Sequence, residues 1–248
     1  MAQGLEGKIC LVTGAAGVVG AAIARRFAGL GCRVVLADIE AARVAELAKE
    51  IGEGARALPL DIADAAAVAY ALAALDADSH GIDILVNNAG ILSNNKAAAT
   101  SADEWRQVLA VNLDGAFYLA KACLPHMRAR GWGRIINMCS LAMKTGGLTA
   151  GTAYTTSKSA MGGLTFSLAR ETAREGITVN GIAPAYILTP MVTEQLTQEQ
   201  RDKLLRDIPV GRFCEASEVA HVAAFLASPE SGFITGEIID INGGLHFD

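Results

Sequence analysis

The sequence predicts an α/β protein: one domain over residues 1–248, a doubly wound parallel sheet of about seven strands with helices on both faces. Three observations predict it. Short apolar runs are continuous rather than alternating, as strands buried on both faces require. Stretches with helical apolar spacing separate them. Polar or turn residues (Thr13, Asp38, Asp61, Asn88, Ser140, Pro184) stand where the runs end, which is where such sheets bind ligands.

The elements follow in order. Residues 9–12 form a strand that enters the turn Thr13-Gly14, and 18–30 have helical spacing. Residues 33–37 form a second strand closed by Asp38, 41–51 a helix, and 57–60 a third strand closed by Asp61. Asp64 is placed to N-cap a helix reaching about residue 76. A fourth strand, 82–86, runs into Asn87-Asn88-Ala89-Gly90. A long helix spans 101–130, a fifth strand 134–139, a helix 153–174, a sixth strand 177–182 and a seventh 238–241.

Composition narrows the function classes. Of 248 residues 52% are apolar, ample for a core, and the net charge of −5 argues against nucleic acid or an anionic membrane as partner. Five scattered cysteines with no Cys-x-x-Cys pair, and four histidines far apart, read as reduced thiols in a cytoplasmic protein without a metal site. The N-terminus lacks a signal-peptide pattern, and no apolar stretch is expected to span a bilayer.

Chemistry enters with Tyr154-Thr155-Thr156-Ser157-Lys158. Four residues apart on a helix, phenol and ammonium share one face. A lysine charge there should lower the phenol pKa, so that the pair exchanges a proton with an alcohol or ketone. Taken alone, the pair deserves the plainer reading of a surface tyrosine and a solvated lysine on an amphipathic helix, and three other parts of the sequence overturn it. The turn Thr13-Gly14-Ala15-Ala16-Gly17-Val18-Val19-Gly20 joins strand to helix, a place where backbone N–H groups and a helix N-terminus meet a pyrophosphate. Asp38, eighteen residues after Gly20, sits where a carboxylate bonds the adenosine ribose or, alternatively, caps the next helix. A 2′-phosphate would meet its charge, and Ile39 offers no cation, so NAD is expected over NADP. Position leaves two readings of Asp61: a contact to the adenine edge, or a cap of its own turn.

The glycine turn, Asn87-Asn88-Ala89-Gly90, Ser140 and Tyr154-x-x-x-Lys158, in this order and length, resemble the short-chain dehydrogenase/reductase family over residues 7–244. The resemblance implies a Rossmann-like sheet and a catalytic set: Tyr154 as acid/base, Lys158 beside it and on the nicotinamide ribose, Ser140 on the substrate oxygen, and Asn112 holding a water of the proton relay. It implies a cofactor path along Gly14, Gly17, Val18 and Val19, then Asp38, Ile39, Asp61 and Ile62. The path continues over Asn88, Ala89 and Gly90, with Tyr154 and Lys158, and ends on Pro184, Ile187, Thr189 and Met191. It also implies a homotetramer, with a dimer as fallback, built on the 101–130 and 153–174 helices and on the C-terminal strand.

The chain departs from the family pattern in four places. Val18 stands where glycine is usual, and a β-branched residue resists positive φ, so the turn should differ locally. Ala185 replaces a glycine and Asn242 an aspartate. Ser140 and Tyr154 lie fourteen apart, one more than in many members, so the loop 144–151 should bulge.

The expected reaction is reversible hydride transfer between C4 of nicotinamide and a secondary alcohol carbon. One rival is a 3-ketoacyl carrier-protein reductase, usually NADPH-linked, against which Asp38 and the acidic Glu175 argue. Another, of a different class, is a dinucleotide-sensing or scaffold protein, against which the complete catalytic set argues. The substrate loops are 141–151 and 185–210. Leu92, Ser140, Leu141, Met143, Leu148, Tyr186 and Met191 should line a pocket for a neutral alcohol or ketone. Ser93, Asn94 and Asn95 at the rim leave a polyol open, and Lys96 and Lys144 are the only cations nearby.

Overall fold

The computed structural model describes residues 4–79, 81–189 and 197–247. Its strands are β1 (Ile9–Thr13), β2 (Arg33–Asp38), β3 (Ala55–Pro59), β4 (Ile84–Asn87), β5 (Gly133–Met138), β6 (Ile177–Pro184) and β7 (Ile238–Ile241). They form one parallel sheet in the order β3-β2-β1-β4-β5-β6-β7. The order reverses between β1 and β4, where Val12 pairs with Val86. A crevice opens at such a switch point, outside the carboxyl ends of the strands.

β1, β4, β5 and β6 are buried along their whole lengths, and the polar Asn87, Arg134, Asn137, Thr178 and Asn180 are buried with their apolar neighbours. β3 begins two residues earlier than the 57–60 expectation. It is an edge strand, half-exposed, and its last residue, Pro59, has no N–H to give to a ladder.

Helices α1 (Val18–Ala28), α2 (Ala41–Ile51) and Ala216–Ala227 cover one face. Their Ile23, Phe27, Val44, Leu47 and Val219 meet Leu36, Val86 and Ile136 of the sheet. Helix α3 (Ala65–Ser79) and helices Ala102–Arg130 and Thr152–Thr172 cover the other, through Leu72, Leu119, Met127 and Leu168. Burying each large side chain contributes roughly 1.5–3 kcal/mol before entropy is charged. Asp64 caps α3 as expected: its Oδ1 accepts from the N–H groups of Ala66 (2.8 Å) and Ala67 (3.0 Å).

Helix Ala102–Arg130 has the length and mean hydropathy to cross a bilayer, contrary to the expectation of no such stretch. Ala116, Leu119, Cys123 and Met127 lie on its sheet-facing side, so its apolarity is that of a core helix. One π-turn, Ala110–Asp114, interrupts it at Asn112. Just beyond, a Cβ on Gly115 would stand 2.7 Å from Ile62, so only glycine lets the helix approach the loop after β3.

The apolar spacing predicts no element between Thr189 and β7. The structure has two helices there, Gln198–Asp207 and Ala216–Ala227. The second is announced by Glu218, whose carboxylate accepts from the Glu215 N–H (2.8 Å) at the first turn. The 153–174 helix ends at Thr172 and tightens into a 3₁₀ turn, Ala173–Glu175.

Candidate active site

The site is assembled from the carboxyl ends of the strands. In the first turn Gly14 has φ +64°, and a Cβ there would come within 2.8 Å of Ala89. The Thr13 hydroxyl accepts from the N–H groups of Asn88 and Ala89 (both 3.0 Å), and the Asn88 amide donates to the Thr13 carbonyl (2.9 Å). The β1 turn and the loop after β4 are thus clamped as one body. Gly17 caps α1 in an extended conformation, with no side-chain hydrogen bond at the cap. Val18 is the first helical residue, so the position needs no positive φ. The expected conflict with its β-branch does not arise.

Asp38 does not cap α2, whose cap is Glu40. Its carboxylate accepts from Ala16 N–H (3.0 Å) and Glu40 N–H (3.1 Å), which fixes it over the turn. Ile39 beside it is 69% exposed. Asp61 caps its own turn, through Ala63 N–H (2.9 Å), while Ile62 is buried.

Two cavities meet above β4, β5 and β6. One, of about 170 Å³, is lined by Asn88, Gly90, Met138, Lys158, Pro184 and Ile187, among others. The other, of about 260 Å³, is lined by Leu92, Leu141, Leu148, Thr149, Tyr186 and Thr189, among others. Ser140 and Tyr154 belong to both. The residues named from sequence therefore converge, with exceptions. Met143 turns away: it packs with Ala116, Cys139 and Met161 and sits over Gly162. Met191 lies outside the described residues. Thr145, Thr149, Ala150 and Ala185 also line the larger cavity and were not expected; loop residues carry no periodicity to place them.

Helix Thr152–Thr172 carries Tyr154 and Lys158, and the Tyr154 hydroxyl is hydrogen-bonded to Ser140. The Ser140 hydroxyl also accepts from Ala142 N–H (3.2 Å). Lys158 is 3% exposed; its Nζ donates to the Met138 carbonyl at the end of β5 (2.7 Å) and lies 5.8 Å from the Tyr154 ring centre. Burial drives both groups toward neutrality. It raises the Tyr154 phenol above its ordinary value, against the Ser140 hydrogen bond, and lowers Lys158 to about 8. Burial is the largest influence on the phenol, and it acts against the lowering expected of the lysine. Burial likewise raises the Cys139 thiol to about 11, so it is inert beside Lys158.

Asn112 is fully buried. Its Nδ2 donates to Ile91 O and Ser157 Oγ (both 3.0 Å), and its Oδ1 accepts from Ile91 N–H (2.8 Å). It joins the π-turn, the loop after β4 and the Tyr154 helix. Ser157 is a partner that motif reading missed, although it lies inside the Tyr-x-x-x-Lys segment.

The rim residues are engaged elsewhere. Ser93 and Asn95 donate to the Glu104 carboxylate, Asn95 at 2.8 Å. Lys96 Nζ donates to Gly147 O (2.8 Å) and Ala150 O (2.7 Å), and Lys144 pairs with Asp240 (2.7 Å). The 144–151 loop, with left-handed Gly146 and Gly147, is therefore stapled by Lys96. Among the described residues, no group of three or more His, Cys, Asp or Glu is placed to hold a metal.

The family model described as enoyl-(acyl carrier protein) reductase matches residues 14–246. The chain is 38% identical over 242 residues to the 3-oxoacyl-[acyl-carrier-protein] reductase FabG of Vibrio harveyi, covering 98% of each. It is 38% identical over 245 residues to that of Aquifex aeolicus, covering 97% of this chain and 98% of the relative. Among solved structures, a short-chain dehydrogenase/reductase named glucose/ribitol dehydrogenase, from Brucella melitensis, superposes with TM-score 0.92 at 34% identity, covering all of both chains. A candidate NAD(P)-dependent gluconate 5-dehydrogenase from Beutenbergia cavernae, with NADP bound at low occupancy, superposes with TM-score 0.91 at 36% identity, covering 97% of each. With the parallel sheet, the clamped glycine turn and the Ser140–Tyr154–Lys158 cluster in place, the chain belongs to the short-chain dehydrogenase/reductase family of oxidoreductases, which act on CH–OH groups and use a nucleotide cofactor.

Proposed function

We propose that the protein interconverts a neutral secondary alcohol and its ketone with NAD(H), through Tyr154 as acid/base. The observation that carries this reading is the position of Ser140 and Tyr154 on the boundary between the two cavities. A carbonyl oxygen held there faces both hydroxyls, while its carbon faces the smaller cavity. The smaller cavity suits a nicotinamide and its ribose: Gly90 presents no side chain, and a Cβ there would press on Asn112 Oδ1 at 3.2 Å. When bound, the nicotinamide supplies or accepts the hydride. The protein's part is the proton. In reduction the Tyr154 phenol donates to the nascent alkoxide while Ser140 holds the oxygen; in oxidation the phenolate takes the proton back. Lys158 orients the helix end through Met138 and offers its remaining N–H groups to the phenol and a ribose. Asn112 fixes the loop and helix that present these groups. A phenol is in its acid form at neutral pH, which supports reduction there and oxidation as pH rises.

Asp38 is a pure acceptor over the turn. No lysine or arginine occurs in residues 14–20 or 38–42 to meet a 2′-phosphate, which supports NAD. Lys96 and Lys144 are both engaged, so the larger cavity offers an anion little, which supports a neutral substrate. The remainder of the reading is a homotetramer working in the cytoplasm, with no disulfide among the described residues.

A second reading, reduction of a 3-oxoacyl thioester on a carrier protein, is favoured by the names of the relatives above. Against it, Arg128 is bracketed by Glu171 and Glu175 (both 2.8 Å), so its own charge is compensated. Turnover of aryl-alkyl ketones, a charged keto acid and acetoacetyl thioester, each with NADH and NADPH, separates the readings. Tyr154→Phe should lower kcat on the preferred substrate by about 100-fold or more, with NADH affinity little changed. Retained activity would remove Tyr154 as the acid/base.

A further inference from the structure

We infer that Tyr186 is the divider that sets how long a substrate this enzyme accepts, and that a second cavity behind its ring is a latent extension of the substrate pocket. The inference rests on the placement of the substrate in the larger cavity proposed above. Among the described residues, Ala185 and Tyr186 are the two shared by that cavity and by another of about 130 Å³. Ala185 has a single methyl, so the partition falls to the phenol ring.

Three contacts hold the ring in place. Tyr186 O accepts from Cys214 N–H (3.0 Å), fixing its backbone against the segment before helix Ala216–Ala227. The ring packs on the cluster of Ile208 and Phe213. Its hydroxyl reaches Thr149 Oγ1 (3.4 Å) across the mouth of the larger cavity, joining the two substrate loops.

The chemistry of the space behind Tyr186 defines what would occupy it. Ile208, Val210 and Ile241 contribute apolar walls. Arg212, Glu218 and Asn242 also line it and are engaged among themselves and their neighbours: Glu218 holds Arg212 bidentately (2.7 and 2.8 Å), and the Asn242 amide donates to His246 O (2.9 Å), so no uncompensated cation is offered to a carboxylate. The extension therefore suits a neutral unbranched alkyl chain. The intact ring stops such a chain short, and a small residue at 186 admits it.

The test is kcat and KM for methyl ketones from butanone to decanone, with reduced cofactor saturating, for the unmodified enzyme, Tyr186→Ala, Tyr186→Phe and Tyr186→Trp. The unmodified enzyme should show a length beyond which kcat/KM falls. Tyr186→Ala should move that length upward and raise the long-to-short ratio by about tenfold or more, through KM. Tyr186→Phe should keep the original cutoff, and Tyr186→Trp, which reads the idea should the alanine variant not fold, should shorten it. Equal loss at every length, or an unmoved cutoff in both the alanine and tryptophan variants, would overturn the inference. Calorimetric titration of inert carboxamides of the same lengths reads the cutoff without turnover. Binding with the expected cutoff but no ketone reduction would sink the proposed reaction and leave the divider standing. No length dependence in binding, or no binding at all, would sink the divider.

Discussion

At the scale of single residues, charge placement decides cofactor and pH behaviour. Asp38 accepts two backbone N–H bonds and so is fixed over the turn, where the proposed reading places the cofactor's ribose. We expect kcat/KM to favour NAD over NADP by more than about tenfold, the equivalent of about 1.4 kcal/mol. Asp38→Ser with Ile39→Arg should narrow or reverse that ratio, and equal use of NADP by the unmodified enzyme would rule the reading out. Lys158 gives a stability signature. Its folded value of about 8 lies below the ordinary 10.5, so between those values the unfolded chain binds more protons. Lys158 should then contribute stability that grows with pH across that window, while buried thiols such as Cys139 contribute with the opposite sign, so the signature is read as the difference between the unmodified protein and Lys158→Met. Denaturant midpoints of the two proteins at a series of pH values check the sign; a difference that fails to shift in favour of the unmodified protein as pH rises would contradict it.

At the scale of elements, the site depends on three pieces being locked together: the π-turn of helix Ala102–Arg130, the loop after β4, and helix Thr152–Thr172. Asn112 supplies the lock with three hydrogen bonds. Asn112→Ala leaves the Ile91 backbone groups and the Ser157 hydroxyl short of a partner. It should cost roughly 2–3 kcal/mol of stability, since each unsatisfied buried group costs about 1–3 kcal/mol and partial rehydration offsets some of it. Activity should fall further than stability explains, because Tyr154 is presented from the helix so released. A chemical denaturation curve unchanged from the parent would show that the lock carries no energy. Asn112→Asp, which keeps the shape but loses both N–H donors, distinguishes lost packing from lost hydrogen bonding.

At the scale of the whole molecule, large apolar side chains remain on the outside. Phe117 and Phe166 are about half exposed on the two long helices, and Phe233 and Phe247 are almost wholly exposed near the C-terminal strand. Exposed rings on the long helices and beside the C-terminal strand suit two two-fold contacts, which would close into a tetramer. We expect a homotetramer by light scattering at micromolar concentration, reduced to a dimer by Phe166→Glu. A monomeric unmodified protein would refute the assembly.

Sequence alone determined what depends on pattern and short spacing. The parallel sheet was legible because strands buried on both faces must be continuously apolar. Gly14, Asn88, Ser140, Tyr154 and Lys158 were legible because each stands at a strand end or one helical turn from its partner. The tertiary structure decided what depends on neighbours far along the chain. Val18 is unstrained only because α1 begins at that residue. The direction of the Tyr154 shift depends on how deeply the helix is packed. Ser93, Asn95, Lys96 and Lys144, readable as substrate contacts by proximity, are taken by Glu104, Gly147, Ala150 and Asp240. Met143 turns to the core because Gly162 leaves it room. The wall at Tyr186 exists only because the segment at 208–214 folds back behind it. Pattern encodes which face of an element is buried, but the partner of a buried or half-buried polar group is chosen by packing across tens of residues, and no local spacing records that choice.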